Sequence, residues 1–211
     1  QDTLAISKRE REPIVDFEHN SNLEGLKYLN PLYNFIANKQ SLKVLYQPFG
    51  QDKPREWTIF PYLLKEYRNR WFLFCSRASD MRLFDLALDR IKGIVAASDV
   101  EYKIDPKFNP RTYFKNVIGV TKHRGTPLSV VRFSASAEQA PCIETKPLHS
   151  SQMVVERNEG TGEVIFQVEV VLNFEFYALI LSYGAGVKVL SPKCAVSNIR
   201  KMLEDAYLQY K

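Results

Sequence analysis

Two apolar segments separated by a polar turn constrain the fold of this chain most. Residues 70–74 read Arg-Trp-Phe-Leu-Phe, and residues 86–91 read Leu-Ala-Leu-Asp-Arg-Ile. Each has the composition of a buried β-strand, and Ser76, Ser79 and Asp80 interrupt the apolar pattern between them. Because arginines stand at the ends of these strands, the pattern predicts a small sheet that holds an anion. It does not by itself indicate a site that transforms one.

The positive charge of the chain is concentrated in one segment. The 211 residues carry a net charge of +5, but residues 43–124 contain 16 Lys and Arg against 9 Asp and Glu. Residues 1–42 and 125–211 each carry a charge of −1. A local excess of this kind favours a polyanionic partner, such as nucleic acid or a phosphorylated ligand. The alternative is a solvated basic face that binds no partner.

The first half of the chain predicts a linker, a helix and a small sheet. Residues 8–13 are highly charged and end in proline, as linkers often do. Ser21 or Asn22 is expected to cap a helix that is interrupted at Pro31 and has the apolar stripe Leu26, Leu29, Tyr33 and Ile36. The short strands expected over residues 42–88 predict a strongly curved antiparallel sheet or barrel.

The second half predicts a different domain. Two prolines within residues 105–110 mark the boundary between the two halves. The expected elements beyond it are strands over 130–133, 153–156, 164–172 and 187–190, a helix over 135–142 broken at Pro141, a helix capped by Asn173, and a final helix after Pro192. This βαββαβ order followed by a helix is the ferredoxin-like arrangement.

Catalysis, metals and cofactors have little support in the sequence. No serine elbow or phosphate-cradling loop is present, and the glycines of Gly184-Ala185-Gly186 suit a turn. The histidines lack partners at metal-ligand spacing, and a capping or turn role is favoured for His149. We therefore expect no enzyme and no cofactor. The three cysteines lie far apart in apolar contexts and form no CxxC pair, which favours reduced, buried thiols in a cytoplasmic protein.

A binding site has better support. Six side chains of the basic segment come from successive strands or strand ends, namely Tyr46, Arg55, Arg70, Arg77, Arg82 and Arg90. The planar fork of arginine suits phosphate, and tyrosine can stack on a base or donate its hydroxyl. We expect these six residues to bind the ligand. An alternative for Arg90 is a structural ion pair with an acid such as Asp89.

Residues 42–94 resemble the WYL domain, a module named for a Trp-Tyr-Leu triplet. The triplet stands here as Trp71-Phe72-Leu73, and the resemblance extends to Tyr46, Pro61 and the Leu-Asp-Arg-Ile of residues 88–91. Downstream, three segments resemble the C-terminal extension that often follows a WYL domain: residues 147–152, 181–184 and 187–192. The whole resemblance covers roughly residues 20–211.

The resemblance implies a domain plan and a function. The plan is a linker over 1–20 from an N-terminal helix-turn-helix domain, an Sm- or SH3-like small β-barrel over 21–105, a connector over 106–124 and the ferredoxin-like extension over 125–211. The chain would be the ligand-sensing and dimerisation portion of a bacterial transcriptional regulator, usually a homodimer, that responds to an anionic effector, a single-stranded nucleic acid or a nucleotide. Operator DNA would be bound by the N-terminal domain, and no membrane partner is expected. The alternative is an assembly module that only dimerises a DNA-binding protein.

Three positions depart from the family pattern. Phe72 replaces the family tyrosine, which removes a hydroxyl and keeps the apolar volume. Phe84 and Ala87 stand where many members have arginines that line the pocket. These departures imply that part of the usual anion site is absent and that Arg77 and Arg82 compensate for it.

Overall fold

The computed structural model describes residues 25–106, 108–122 and 125–211. Outside these residues lie the predicted linker, the two candidate helix caps and two histidines, that is, residues 1–20, Ser21, Asn22, His19 and His123. The described chain forms two antiparallel sheets with packed helices, so the predicted α+β class is confirmed. None of the helices in this part of the chain is long and apolar enough to cross a membrane.

The first sheet has five short strands. A 3-10 turn over Leu26–Tyr28 leads into helix α1, and a second 3-10 turn over Leu88–Arg90 precedes the last strand. The bounds are α1 Leu29–Ala37, β1 Leu42–Tyr46, β2 Arg55–Tyr67, β3 Arg70–Arg77, β4 Leu83–Ala87 and β5 Ile91–Ala96. The strand order is β4-β3-β2-β1-β5 with antiparallel pairing throughout. Within the described residues β4 and β5 form the two edges and do not pair, so the sheet is not a closed barrel.

Helix α1 differs from its prediction at two positions of the expected apolar stripe. Leu26 and Tyr33 are 48% and 66% exposed, whereas Leu32 is fully buried. Since α1 begins at Leu29, the face that packs on the sheet contains Leu32 together with Tyr28, Leu29, Phe35 and Ile36. Pro31 lies in the first helical turn, where the N–H that it lacks has no intrahelical partner, so it does not interrupt the helix.

The two faces of the first sheet carry separate apolar clusters, because successive side chains of a strand point to opposite sides. Leu73 and Cys75 of β3 lie on the inner face, against α1. Phe74 lies on the outer face, where Phe108 and Phe114 from the segment after β5 cover it. The inner face therefore packs against the helix and the outer face against the connector.

The second sheet is built from the residues after the connector. Its elements are β6 Leu128–Ala135, α2 Ala140–Thr145, β7 Met153–Arg157, β8 Val164–Val171, α3 Phe174–Leu181, β9 Val187–Ser191 and α4 Lys193–Leu208. The strand order is β7-β8-β6-β9, and the element order is the predicted βαββαβ followed by a helix. The predicted helix over 135–142 is wrong, because Ala135 belongs to β6 and Pro141 lies in the first turn of α2 rather than breaking it.

Tyrosine hydroxyls fasten the segment between β5 and the connector to the first sheet. Tyr102 Oη donates to the carbonyl of Pro61 at 2.7 Å, and Tyr62 Oη donates to the carbonyl of Lys103 at 2.9 Å. Tyr62 Oη also accepts from the amide of Asp105 at 3.1 Å. Burial raises the pKa of Tyr102 to about 12, so its hydroxyl stays a donor at neutral pH. These bonds meet β2 at its bulge between Pro61 and Leu63.

Candidate anion-binding site

Aromatic rings and guanidinium groups meet at one end of the inner face. Arg77 Cζ lies 5.3 Å from the ring centroid of Trp57 and 5.5 Å from that of Phe84. The two rings meet edge to face at 5.7 Å. Arg77 has one ion-pair contact among those found in the described residues, with Asp80, whose Oδ2 is 3.8 Å from Nη1 and stands at the limit of an ion pair. The positive charge of Arg77 is therefore held by aromatic rings and is only weakly neutralised.

The strand register explains why these residues meet. In the ladder from β1 to β4, Val44 faces Trp57, Ile59 faces Arg77 and Cys75 faces Phe84. Alternate residues of each strand share the inner face, so neighbouring strands bring their terminal side chains within reach of one another. Most of the residues that meet here are far apart in the sequence. Only Arg77 and Phe84 are close to each other, because a single turn between β3 and β4 separates them.

Tyr46 supports this group from inside the core. Its side chain is only 6% exposed, and its ring lies 5.6 Å from that of Trp57 with an interplanar angle of 31°. Burial raises the pKa of the Tyr46 hydroxyl, and the positive charge of Arg90 opposes the rise. The buried ring is therefore a wall behind Trp57, with little surface on which a ligand could stack.

Arg90 extends the group to the turn after β1. Its Cζ lies 3.8 Å from the ring centroid of Phe49, which is 71% exposed. The acidic neighbour in sequence, Asp89, pairs instead with Arg70, with Nη2 and Oδ2 3.5 Å apart. Arg90 Nε is buried and has no hydrogen-bond partner among the described residues. We name the whole set the aromatic–arginine cluster, which consists of Tyr46, Phe49, Trp57, Arg77, Phe84 and Arg90.

The structure brings together three of the six residues predicted to bind a ligand. Tyr46, Arg77 and Arg90 belong to the aromatic–arginine cluster. Arg55 is exposed at the start of β2, and Arg70 is the ion-pair partner of Asp89. The hydrogen bonds that the structure records for Arg82 involve only its backbone, with the amide donating to Asp80 Oδ1 and the carbonyl accepting from Arg77.

Sequence reasoning missed three of the four aromatic residues of the cluster. It identified Phe84 only as a departure from the family pattern and assigned no ligand-binding role to Trp57 or Phe49. The available signal was the position of Phe49 between Pro48 and Gly50, which places an apolar ring at the tip of a turn.

The three departures from the family pattern have different structural consequences. The Phe84 ring packs against Trp57 and lies beside the guanidinium of Arg77. Ala87 is 3% exposed, and the residue opposite it is Phe72. Phe72 packs on the outer face of the sheet, so the missing tyrosine hydroxyl does not concern the aromatic–arginine cluster.

Other reactive side chains have structural contacts. Within the described ranges no group of three or more His, Cys, Asp and Glu side chains is placed to hold a metal ion. His149 Nδ1 accepts from the amide of Ser151 at 3.1 Å, which is the turn role favoured from the sequence, and burial lowers its pKa. Cys75 is buried, and burial raises the pKa of its thiol well above the ordinary value, whereas Cys142 and Cys194 are exposed, so the prediction of buried thiols is wrong for these two.

Comparison with known proteins divides the chain in the same place as the structure does, between the first and the second sheet. A WYL domain model matches residues 27–96, and a WCX domain model matches residues 128–207. No curated protein matches the chain in sequence. Sixteen chains of solved structures do match.

Two of these solved structures show the level of similarity. Proteasome accessory factor B/C (PafBC) of Arthrobacter aurescens is 14% identical with a TM-score of 0.36, over 92% of this chain and 28% of that one. A CRISPR Cas-related protein is 12% identical with a TM-score of 0.49, over 86% of this chain and 50% of that one. The chain thus spans half or less of the length of either protein. The two family models together cover more than two thirds of the residues, and the chain is a WYL-domain protein in which a WCX domain follows the WYL domain.

Proposed function

We propose that this chain is the effector-sensing and dimerisation portion of a bacterial transcriptional regulator, and that the aromatic–arginine cluster binds a nucleic-acid or nucleotide effector. The observation that carries the proposal is the set of groups that surround the guanidinium groups of Arg77 and Arg90. Both guanidinium groups lie on aromatic rings; the Asp80 carboxylate is 3.8 Å from Arg77, at the limit of an ion pair, and Arg90 has no ion pair among the described residues. An anion that approaches them displaces no strong ion pair.

The chemistry of the cluster suits a phosphate joined to a flat ring. Guanidinium groups donate two parallel hydrogen bonds to phosphate oxygens, and aromatic rings offer stacking surfaces. The remaining predicted residues, Arg55, Arg70 and Arg82, add positive charge in the same segment and would attract a polyanion over a longer range. None of these groups is arranged for bond breaking, so we propose binding without catalysis.

The proposed response is a shift between arrangements of the regulator. An effector that binds one arrangement better makes that arrangement more populated, and this changes operator affinity in a DNA-binding domain joined through residues 1–20. Such a regulator would act in the cytoplasm as a homodimer. Dimerisation is supported by exposed apolar side chains at and just after the end of α4, namely Leu203, Tyr207, Leu208 and Tyr210.

Arg77→Ala and Arg90→Ala test the proposed site. With a fluorescein-labelled twelve-nucleotide oligo(dT) at fixed ionic strength, we expect each variant to bind about 10- to 100-fold more weakly, because a hydrogen bond to a charged group is worth ~1.5–3 kcal/mol. Arg82→Ala is the matched control, since it removes the same charge and keeps the backbone carbonyl through which Arg82 contacts Arg77, and we expect only a small loss. Unchanged binding in both cluster variants would overturn the site assignment.

The same exposed end of α4 also favours the second candidate, a module that only dimerises a DNA-binding protein. The two candidates differ in their response to ligand. A true effector at 100 times its Kd should raise the free energy of unfolding by about 2.7 kcal/mol. If no oligonucleotide or nucleotide stabilises the wild-type chain, the assembly module is the better account.

A further inference from the structure

The turn over residues 147–152 is a segment that the proposed site does not involve. Its ends are fixed by the side chain of Gln152. The amide of Leu148 donates to Gln152 Oε1 at 2.9 Å, and Gln152 Nε2 donates to the carbonyl of Ile143 in α2 at 2.9 Å. These bonds hold the turn against α2, with His149 half-buried within it.

The imidazole ring of His149 uses both of its nitrogens. Nδ1 accepts from the amide of Ser151 at 3.1 Å, and the hydroxyl of Ser151 lies 2.7 Å from the same atom. Because an amide N–H can only donate, Nδ1 carries no proton, so the ring is neutral and its proton is on Nε2. A hydrogen bond between the ring and the backbone of Lys115 favours the charged form, which means that the ring donates. Nε2 therefore donates to the carbonyl of Lys115 on the connector.

The turn and the connector bind the same stretch of β8. Pairing between β7 and β8 reaches only as far as Gln167, so the backbone groups that follow on this edge need other partners. Ser151 Oγ accepts from the amide of Glu169 at 2.8 Å, and Asn116 Nδ2 donates to the carbonyl of Glu169 at 3.1 Å. The amide of Val171 donates to the carbonyl of Asn116 at 2.8 Å. The turn and the connector thus take the place of β7 along this edge.

The hydrogen bonds run in a closed circuit from the turn through β8 to the connector and back. We name this circuit the His149 clasp, which consists of His149, Ser151, Glu169, Val171, Asn116 and Lys115. Protonation of Nδ1 would break it, because the new N–H would face the Ser151 amide, which is itself a donor. The Ser151 hydroxyl would also have to turn its proton from the ring towards the carbonyl of Glu169, 3.4 Å away.

We propose that the His149 clasp is an acid-sensitive joint, in which protonation of His149 loosens the connector from the WCX domain. Burial lowers the pKa of His149, and the hydrogen bond to the Lys115 backbone opposes the change. A folded state that prefers the neutral ring has its full stability above the ordinary histidine pKa of about 6.5. That stability is lost as the pH falls through the lowered pKa.

The charges around the ring do not account for this preference. In the described part of the chain, the charged side chains that adjoin the turn on α2, the connector and β8 are Glu144, Lys146, Lys115 and Glu169. Glu144 is paired with Arg157 at 2.6 Å, and the other three are exposed to solvent. Burial of the ring is the largest cause of the lowered pKa, so a response between about pH 7.5 and about pH 5.5 is assigned to His149 itself.

His149→Asn removes the titrating ring and keeps an acceptor for the Ser151 amide. Asparagine already accepts in this way elsewhere in the chain, since Asn158 Oδ1 accepts from the amide of Gly160, two residues further on, at 3.0 Å. The variant should therefore keep the turn without its response to pH.

The readout is hydrogen exchange of the Glu169 and Val171 amides, followed by NMR in the full chain and corrected for the direct effect of pH on exchange. From about pH 7.5 to about pH 5.5 we expect their protection in wild type to fall about 2- to 12-fold, the factor for one hydrogen bond worth ~0.5–1.5 kcal/mol. His149→Asn should show no such fall. The amide of Ala97, which donates to the carbonyl of Ser41 at 3.0 Å in the WYL domain, should change in neither protein.

His19→Asn is the matched control, because it removes a different histidine and should keep the wild-type response. If wild type and His149→Asn respond alike, or if the Ala97 amide loses as much protection as the Glu169 amide, the proposal is overturned.

The NMR titration of His149 in wild type decides independently of any variant. A midpoint below about 6.5 supports the proposal, and a midpoint at or above it overturns the proposal. None of these measurements involves an oligonucleotide, so the proposed function is tested separately.

Discussion

The arginines of the WYL domain differ in availability because of what lies beside each guanidinium group. Arg70 has a carboxylate partner, Asp89, at 3.5 Å, whereas Arg77 and Arg90 lie against aromatic rings. A ring holds a cation without cancelling its charge, so the field of Arg77 and Arg90 still reaches an incoming anion. Phe84 stands where the family pattern places an arginine. It contributes to this effect because its ring lies beside the guanidinium of Arg77 and helps to orient it.

Single-residue packing also decides how α1 sits on the sheet. Gly25, just before the 3-10 turn that leads into α1, has a φ of +97°, and a Cβ at this position would lie 2.4 Å from the backbone carbonyl of Leu88. Gly50 has a similarly positive φ, but nothing lies within 4 Å of its Cβ position. A side chain at Gly50 would therefore cause backbone strain alone, whereas a side chain at Gly25 would cause both backbone strain and a steric clash.

We expect Gly50→Ala to lower the free energy of unfolding by about 1 kcal/mol, the cost of the left-handed conformation alone. Gly25→Ala should cost roughly 3 kcal/mol or more, because the backbone of the 3-10 turn over Leu88–Arg90 must also move. Urea unfolding of the two variants measures the difference. Equal losses would show that α1 does not pack tightly against this turn.

At the scale of elements, the start of α3 holds the connector to the WCX domain. Asn173 caps the helix by accepting from the amide of Phe176 at 2.8 Å, and its Nδ2 donates to the carbonyls of Ile118 and Thr121, each at 2.8 Å. Glu175 Oε1 accepts from the amides of Val120 and Thr121 at 3.2 and 3.0 Å. The start of α3 thus supplies hydrogen-bond partners for one of its own backbone amides and for backbone groups of the connector.

Substitutions at Asn173 separate the two roles. Asn173→Ser keeps a capping hydroxyl but loses both donations to the connector, so we expect a loss of roughly 1–3 kcal/mol of unfolding free energy at ~0.5–1.5 kcal/mol per bond. Asn173→Ala also removes the cap and should cost about 1 kcal/mol more. Asn198→Ala is the control, since its exposed amide makes one bond, to Tyr177 Oη at 2.9 Å. If Asn173→Ser is as stable as wild type, the connector contacts contribute nothing.

At the scale of the whole molecule, the connector shares apolar surface or hydrogen bonds with both domains. Phe108 and Phe114 pack on the outer face of the WYL sheet, and the amide of Val171 in β8 donates to the carbonyl of Asn116 at 2.8 Å. Neither domain can release the connector without exposing part of its own buried surface. The connector thus joins the WYL sheet, where we propose that the effector binds, to the WCX domain through contacts with both.

We expect the two domains to unfold as one cooperative unit. Both tryptophans of the chain, Trp57 and Trp71, lie in the WYL domain, so their fluorescence reports that domain alone, while far-UV circular dichroism reports both. The two urea transitions should coincide, and Asn173→Ala in the WCX domain should shift both by the same amount. Separate midpoints, or a fluorescence curve that Asn173→Ala does not move, would contradict this coupling.

Local patterns in the sequence were enough to predict several elements. Asn173 before an apolar run predicted a capped helix, and α3 begins there because the cap satisfies a backbone amide with a side chain three residues away. The predictions at Pro31 and Pro141 failed for a shared reason. Proline ends a helix that precedes it but is accepted in a first turn, and only the position of that turn distinguishes the two cases.

The sequence by itself determined the α+β class, because alternation, caps and turns are properties of neighbouring residues, and its motifs resembled the WYL domain and its C-terminal extension. It also gave Tyr46, Arg77 and Arg90 as candidates, through their positions on strands or strand ends of the basic segment. Only the tertiary structure decided that aromatic rings hold two arginines while a carboxylate pairs with a third. Strand register brings together residues that are distant in the chain, and no local pattern encodes which of them meet.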